Sequence, residues 1–304
     1  MPQPAKRSEV LRKRVERFAR ALNGLERGDV PALHRVRVAS RRLRELVPML
    51  QLDHDVTRKL SRRLRRVTNR LGAVRELDVL LILIDELHVS RRDRIPAFGR
   101  IGVLVSKERD RARKRLFKSM PAGDLRRLAG RLERAVGELE VAEAASSKAA
   151  DRRWRWAMDA RVTNRAARLE SAMQEAGAVY LPERLHAVRI ALKKLRYSAE
   201  LSYEIAGARR NADLHTLKRG QDLLGRMHDL QILIDRVRQL QASLAPPSLT
   251  VWRDLDALIA SLEDECRRLH ARYMRLRDTL AAIAGTIGAR AVAGPARTAA
   301  RRAG

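Results

Sequence analysis

LHRVRVASRRLR, residues 33–44, returns in the other half of the chain as LHAVRIALKKLR, residues 185–196. On a helix with about 100° between successive residues, His34, Arg37, Arg41 and Arg44 fall within roughly an 80° arc. Val36, Ala39, Leu43, Val47 and Leu50 fall opposite as an apolar stripe. In the second copy His186, Arg189, Lys193 and Arg196 form the cationic row, backed by Val188, Ala191 and Leu195. One face packs, and the other is a line of positive charge that begins at a histidine. Such a geometry suits a polyanion.

The likeness extends outward from these stretches. Leu71-Gly72-Ala73-Val74-Arg75-Glu76-Leu77 matches Leu224-Gly225-Arg226-Met227-His228-Asp229-Leu230, and Val79-Leu80-Leu81 and Ile232-Leu233-Ile234 keep the register. Two copies are too few for a solenoid. They predict an all-α fold of two pseudo-symmetric antiparallel helical bundles, each burying its own apolar stripes and turning its basic rows toward the other. The expected domain covers residues 7–283, as repeats of about 7–146 and 152–283. Helical periodicity marks residues 8–23, 31–50, 55–71, 74–89, 97–118 and 123–146 in the first half. In the second it marks 152–177, 183–206, 211–224, 227–243 and 250–283. Gly24, Gly28, Pro31, Pro96, Pro121, Gly123, Pro182 and Pro246-Pro247 supply the breaks. After Gly285 the periodicity fades, and residues 285–304 read as a flexible basic tail.

The helix expected at 55–71 has the same two faces. Leu60, Leu64, Val67 and Leu71 lie on one, and Arg58, Arg62, Arg65 and Asn69 on the other. The second half sets His215, Lys218 and Asp222 at the matching places, and Arg219 answers Arg66. A single arginine row is ordinarily a solvated face; rows recurring at matched positions favour binding. Beside arginines, a bound phosphate would favour the protonated rings of His34 and His186. Arg75 and His228 place a basic donor after Leu-Gly in each half. Glu76 and Asp229 read as local caps near a helix start. His54, His88 and His270 have no counterparts, and no role is assigned to them.

The formal charge is +29, from 65 Lys and Arg against 36 Asp and Glu. Such an excess repels itself in a compact state and calls for an anionic partner. Only ten of the 65 are Lys; arginine suits phosphate because its planar fork donates two parallel hydrogen bonds. Cys266 is the single cysteine, which excludes a disulfide framework and a cysteine metal cluster. MPQPAKRSEVLRKR lacks the apolar run of a signal peptide, and no membrane span is expected. Phosphate-loop, dinucleotide-turn and metalloprotease signatures are missing, so the chain is expected to be non-enzymatic, with neither metal nor cofactor. Glu133, Glu138, Glu140 and Glu143 read as surface partners for arginines.

The doubled H-x-x-R-x-x-x-[RK]-[RK]-L-R motif, each copy followed by Leu-Gly and a later acid-Leu pair, resembles the CHAD family, the conserved-histidine α-helical domain. The resemblance spans residues 7–283. It implies two pseudo-symmetric helical bundles with a basic groove or pore, and binding of inorganic polyphosphate in the cytoplasm, on polyphosphate granules or in phosphate metabolism. The family's basic positions carry over to His34, Arg37, Arg41, Arg42, Arg44, His186, Arg189, Lys193, Lys194 and Arg196. Arg62, Arg65, Arg75, Lys218, Arg219 and His228 follow them. Family members often accompany a CYTH triphosphate-tunnel domain, whose E-x-E-x-K strand motif is absent here. The alternatives are a nucleic-acid binder and, behind it, a phosphohydrolase. Single-strand binders add aromatic stacking platforms, whereas aromatics make up 3% of this chain. Nucleic acid is therefore expected to compete only weakly.

Overall fold

Between His54 and Ser90 buried apolar residues recur every three or four positions without interruption: Leu60, Leu64, Val67, Leu71, Val74, Leu77, Leu80 and Leu83. A stripe that continuous packs as one helix. The computed structural model describes residues 6–25, 29–90, 97–145, 148–206, 211–244 and 248–300. Among them are nine α-helices and a single 3-10 turn at Val47–Met49, with no strand. They are α1 (Arg7–Leu22), α2 (Val30–Leu46), α3 (His54–Ser90), α4 (Ala97–Ser119), α5 (Ala122–Ala144), α6 (Lys148–Ala176), α7 (Pro182–Ile205), α8 (Asn211–Ala242) and α9 (Leu249–Ala300).

Three expectations are corrected. The helices expected at 55–71 and 74–89 are one, α3, and those at 211–224 and 227–243 are likewise one, α8. Gly72 and Gly225 therefore sit inside helices, where glycine costs about 1 kcal/mol relative to alanine and breaks nothing when flanking residues are packed. Glu76 and Asp229 in consequence stand in mid-helix and cap no start. The stretch after Gly285, expected to be a flexible tail, continues α9 to Ala300. Ala284 and Ile287 are buried, the Thr163 hydroxyl donates to the Gly288 carbonyl at 3.3 Å, and Arg290 reaches Asp213 at 3.4 Å. Gly28, Pro96, Pro246-Pro247 and residues 301–304 lie outside the described residues.

In the first half α1 packs on α2 and α5, α2 on α3, and α3 on α4. In the second α6 packs on α7 and α9, α7 on α8, and α8 on α9. The long α9 thus fills, against α8 and α6, the places that two helices take in the first half. Charge-assisted bonds tie the halves together: Arg14 to Glu204 at 2.6 Å, Arg165 to Glu45 at 2.6 Å and Arg236 to Glu108 at 2.7 Å. The Trp154 indole N–H donates to the Met49 carbonyl at 2.5 Å. At the centre α2 packs on α3, α3 on α8, α8 on α7 and α7 on α2. These four helices close a ring. No helix among the described residues is long and apolar enough to cross a membrane.

Candidate anion-binding site

The packing of α2 and α7 fixes where their cations go. Leu33, Val36 and Leu43 of α2, and Leu185, Val188, Leu192 and Leu195 of α7, are buried in the core. The opposite faces, carrying Arg37 and Arg41 on α2 and Arg189 and Lys193 on α7, are left half-buried within the ring. A side chain added at Gly72 would meet the Arg37 Nε at 4.0 Å, and one at Gly225 would meet the Arg189 Nε at 3.9 Å. The two interior glycines thus lie at matching distances from one arginine each.

The two rows run side by side. Arg37 lies in the field of Arg41, Arg75 and Arg189; Lys193 lies in that of Arg189, Arg41, Arg37 and Arg44. Among the described residues none of Arg37, Arg41, Arg189 and Lys193 has a carboxylate oxygen within 4.0 Å. The Nε–H groups of Arg37 and Arg41 are buried without a hydrogen-bond partner. Burial, reinforced by the neighbouring guanidiniums, pushes the Lys193 ammonium down to about 8. Burial likewise lowers the Arg37 and Arg41 guanidiniums. Half-buried like charges with no counter-ion are expensive to hold, and an anion of matching shape would offset that cost.

At one end of the ring stand the histidines. His34 lies beside Arg75 and Arg37, and burial together with those charges lowers its pKa. At the matching place His186 and His228 share a hydrogen bond of 3.1 Å between their Nδ1 atoms. Burial, then Arg189, His186 and Lys193, pulls His228 down to about 4; burial and Arg189 lower His186. Without an anion, therefore, each of these rings is harder to protonate than a free imidazole. Asp229 is half-buried near Arg189, Arg226 and Arg75, and burial raises its carboxyl above the usual range.

Other expected residues are placed differently. Arg44 leans on Glu45 at 3.6 Å and Arg42 on Glu200 at 3.7 Å, while Arg196 bonds Glu200 and donates to Gln221 at 3.0 Å. Arg62 and Arg65 are exposed on the face of α3 that carries Gly72, two to three turns nearer its N-terminus. The Thr68 hydroxyl bonds Ser40 at 3.4 Å, which sets this stretch alongside the Arg41–Arg44 end of α2, as a rim. Lys218, on the matching face of α8, is exposed and paired with Asp222 at 2.7 Å. Lys194 is exposed beside α6, its carbonyl accepting from Arg165. Arg219 lines a different cleft, between α8 and α9, with Arg226, Arg272 and Arg275.

Several participants escaped the sequence reading. Tyr197, buried, is held between the Arg41 guanidinium at 5.0 Å and that of Arg196 at 4.5 Å. It directly follows the second motif, and the repeat sets it against Glu45, so its place was open to inspection. The acids Glu45 and Glu200 that restrain flanking arginines lie on the edges of the same helices. Arg14, Arg17 and Arg20 of α1 line a cleft with His34 and Arg42, and only tertiary packing brings them there. Among the described residues no three His, Cys, Asp or Glu gather as metal ligands.

The CHAD domain family model matches residues 9–238, more than two thirds of the chain. Among curated proteins nothing matches. Of solved structures, the crystal structure of the CHAD domain from the plant Ricinus communis is similar at a TM-score of 0.61 and 23% identity, covering 91% of this chain and 93% of that one. PptA from Streptomyces chartreusis is similar at a TM-score of 0.58 and 19% identity, covering 90% and 98%. Identities this low speak to the fold.

Proposed function

The chain belongs to the CHAD domain family, and we propose that it binds inorganic polyphosphate, without catalysis, in the ring formed by α2, α3, α7 and α8. One observation carries this reading: Arg37, Arg41, Arg189 and Lys193 share a half-buried space among one another's charges and have no carboxylate partner among the described residues. Linear polyphosphate offers non-bridging oxygens along its whole length. Guanidiniums from both rows would take them by charge-assisted hydrogen bonds, each worth about 1.5–3 kcal/mol net. Adjacent phosphates arrive at high effective concentration, so affinity grows with chain length. Displaced counterions give a steep dependence on salt. In the cell this reading places the protein in the cytoplasm, on polyphosphate granules or in phosphate metabolism.

The competing polyanion is nucleic acid. Its bases would need stacking platforms, and the one aromatic within the rows, Tyr197, is buried between two guanidiniums. Titration calorimetry with polyphosphates of graded length, repeated across salt, tests the proposal. Affinity is expected to rise with length and fall with salt. Displacement of long polyphosphate by duplex DNA or RNA at comparable concentration would overturn the assignment, and so would phosphate release in the presence of Mg²⁺ or Mn²⁺.

A further inference from the structure

A cationic cleft outside the central ring shares a residue with it. Between α1 and α2 lies a cleft of about 390 Å³ with Arg17, Arg20, His34, Arg35 and Arg42 around it. Ala21, Val38 and Ala39 also line it. Arg17 and Arg20 are exposed, one turn apart on α1. Three acids reach the cleft's arginines: Glu204 holds Arg14 at its inner wall, Asp29 stands 3.7 Å from Arg35, and Glu200 stands 3.7 Å from Arg42. Even so, the Arg42 Nε–H is buried without a partner. His34 belongs to both places, to this cleft and to the row that faces the ring.

The second half also has a cleft beside its histidines, and it is built of the opposite charge. About 320 Å³ in size, it lies between α7 and α8, with His186 and His228 at one side and Glu183 and Asp235 among its walls. Both clefts adjoin the same end of the ring. Arg75 is neighbour to His34 and also to Asp229, and Asp229 directly follows His228, which bonds His186. A polyanion leaving the ring at this end meets arginines on one side and carboxylates on the other.

We infer that the α1–α2 cleft is a second phosphate-binding site, taking the part of a long polyphosphate chain that emerges past His34. The inference rests on the central reading above. It makes the grip one-sided: the chain leaves over the first half, steered away from Glu183 and Asp235. It also sets a length threshold, because short chains are satisfied within the ring and only longer ones reach Arg17 and Arg20.

The test compares tripolyphosphate with chains of roughly a hundred phosphates on the wild-type protein and on the double variant Arg17→Ser, Arg20→Ser. Both residues are exposed, so the fold survives, which an unchanged thermal midpoint confirms. Tripolyphosphate affinity is expected to stay within about twofold. Long-chain affinity should fall about tenfold, and its salt slope should drop by about two, one for each phosphate contact removed. Equal losses for both lengths would show that these charges act only as a diffuse field, and no loss for long chains would show an unused cleft; either overturns the second site while leaving the ring intact. A wild-type protein that binds neither polymer would instead overturn the central reading.

Discussion

The two halves hold their cations in the same place and differ in what accompanies them. Where the first half has Arg75 next to His34, the second has His228 bonded to His186. Where the first has Glu45, holding Arg44 and Arg165, the second has Tyr197 between Arg41 and Arg196. A repeated sequence pattern sets where a side chain points, since that follows from the apolar stripe behind it. It leaves the charge at each point free to diverge. The result is one candidate site made of unlike halves, with an arginine beside the histidine on one side and a second histidine on the other.

The sharpest way to break this comparison is to reverse one charge in each half. Arg37→Glu and Arg189→Glu each remove a charge-assisted contact of about 1.5–3 kcal/mol and add a repulsion. Each is expected to weaken polyphosphate binding on the order of a hundredfold or more by calorimetry. The double variant should show less than the summed loss, because both residues serve one ligand. If either reversal leaves the affinity untouched, the halves do not grip a common thread.

Proton linkage sharpens the comparison next. The Lys193 ammonium sits at about 8 in the folded protein, against 10.5 ordinarily. Between those values the unfolded chain binds the proton and the folded one does not, so the free protein gains stability as pH rises through that window. A bound polyanion restores the proton; affinity should accordingly fall as pH rises above about 8, by up to about tenfold per unit for this one group. Lys193→Met should raise the thermal midpoint of the free protein at pH 7 while weakening polyphosphate, the usual conflict between a functional charge and stability. His228 behaves alike at lower pH. Neutral in the fold down to about 4, it costs stability as pH falls from about 6.5 toward 4, and a polyanion that reprotonates it binds more tightly across the same window. His228→Arg makes the second half resemble the first. Affinity at pH 7.5 should then rise severalfold and its acid dependence flatten. An unchanged profile would show that the histidine pair is outside the binding space.

Much of this was legible in the sequence, for a definite reason. The periodicity of Val36, Leu43, Val188 and Leu195 records which face is buried, and the cations opposite follow by geometry. Helix boundaries were less legible, because an interior glycine such as Gly72 looks like a stop until the stripe on both sides is followed through it. The tail after Gly285 misled in a similar way: its anchor is Ala166 and Thr163 on α6, partners that local composition does not reveal. Nor could spacing alone separate the half-buried Arg37 from the exposed Arg65. Both obey the same period, and only the crossing of four helices tells ring from rim.

Those glycines give the smallest expected effect and the finest probe of the matched geometry. At 4.0 Å and 3.9 Å from the arginine Nε atoms, a methyl group at Gly72 or Gly225 makes ordinary contact. Each alanine variant should therefore stabilise its helix by about 0.5–1 kcal/mol, read by chemical denaturation, and shift polyphosphate affinity by less than about twofold. Gly72→Leu and Gly225→Leu occupy the space where the guanidinium lies and should push Arg37 or Arg189 out of line, lowering affinity severalfold while the helix stays formed. Because the two contacts differ by only a tenth of an ångström, the paired variants should behave alike. A large leucine effect in one half and none in the other would mean that only one of the two arginines works from this position.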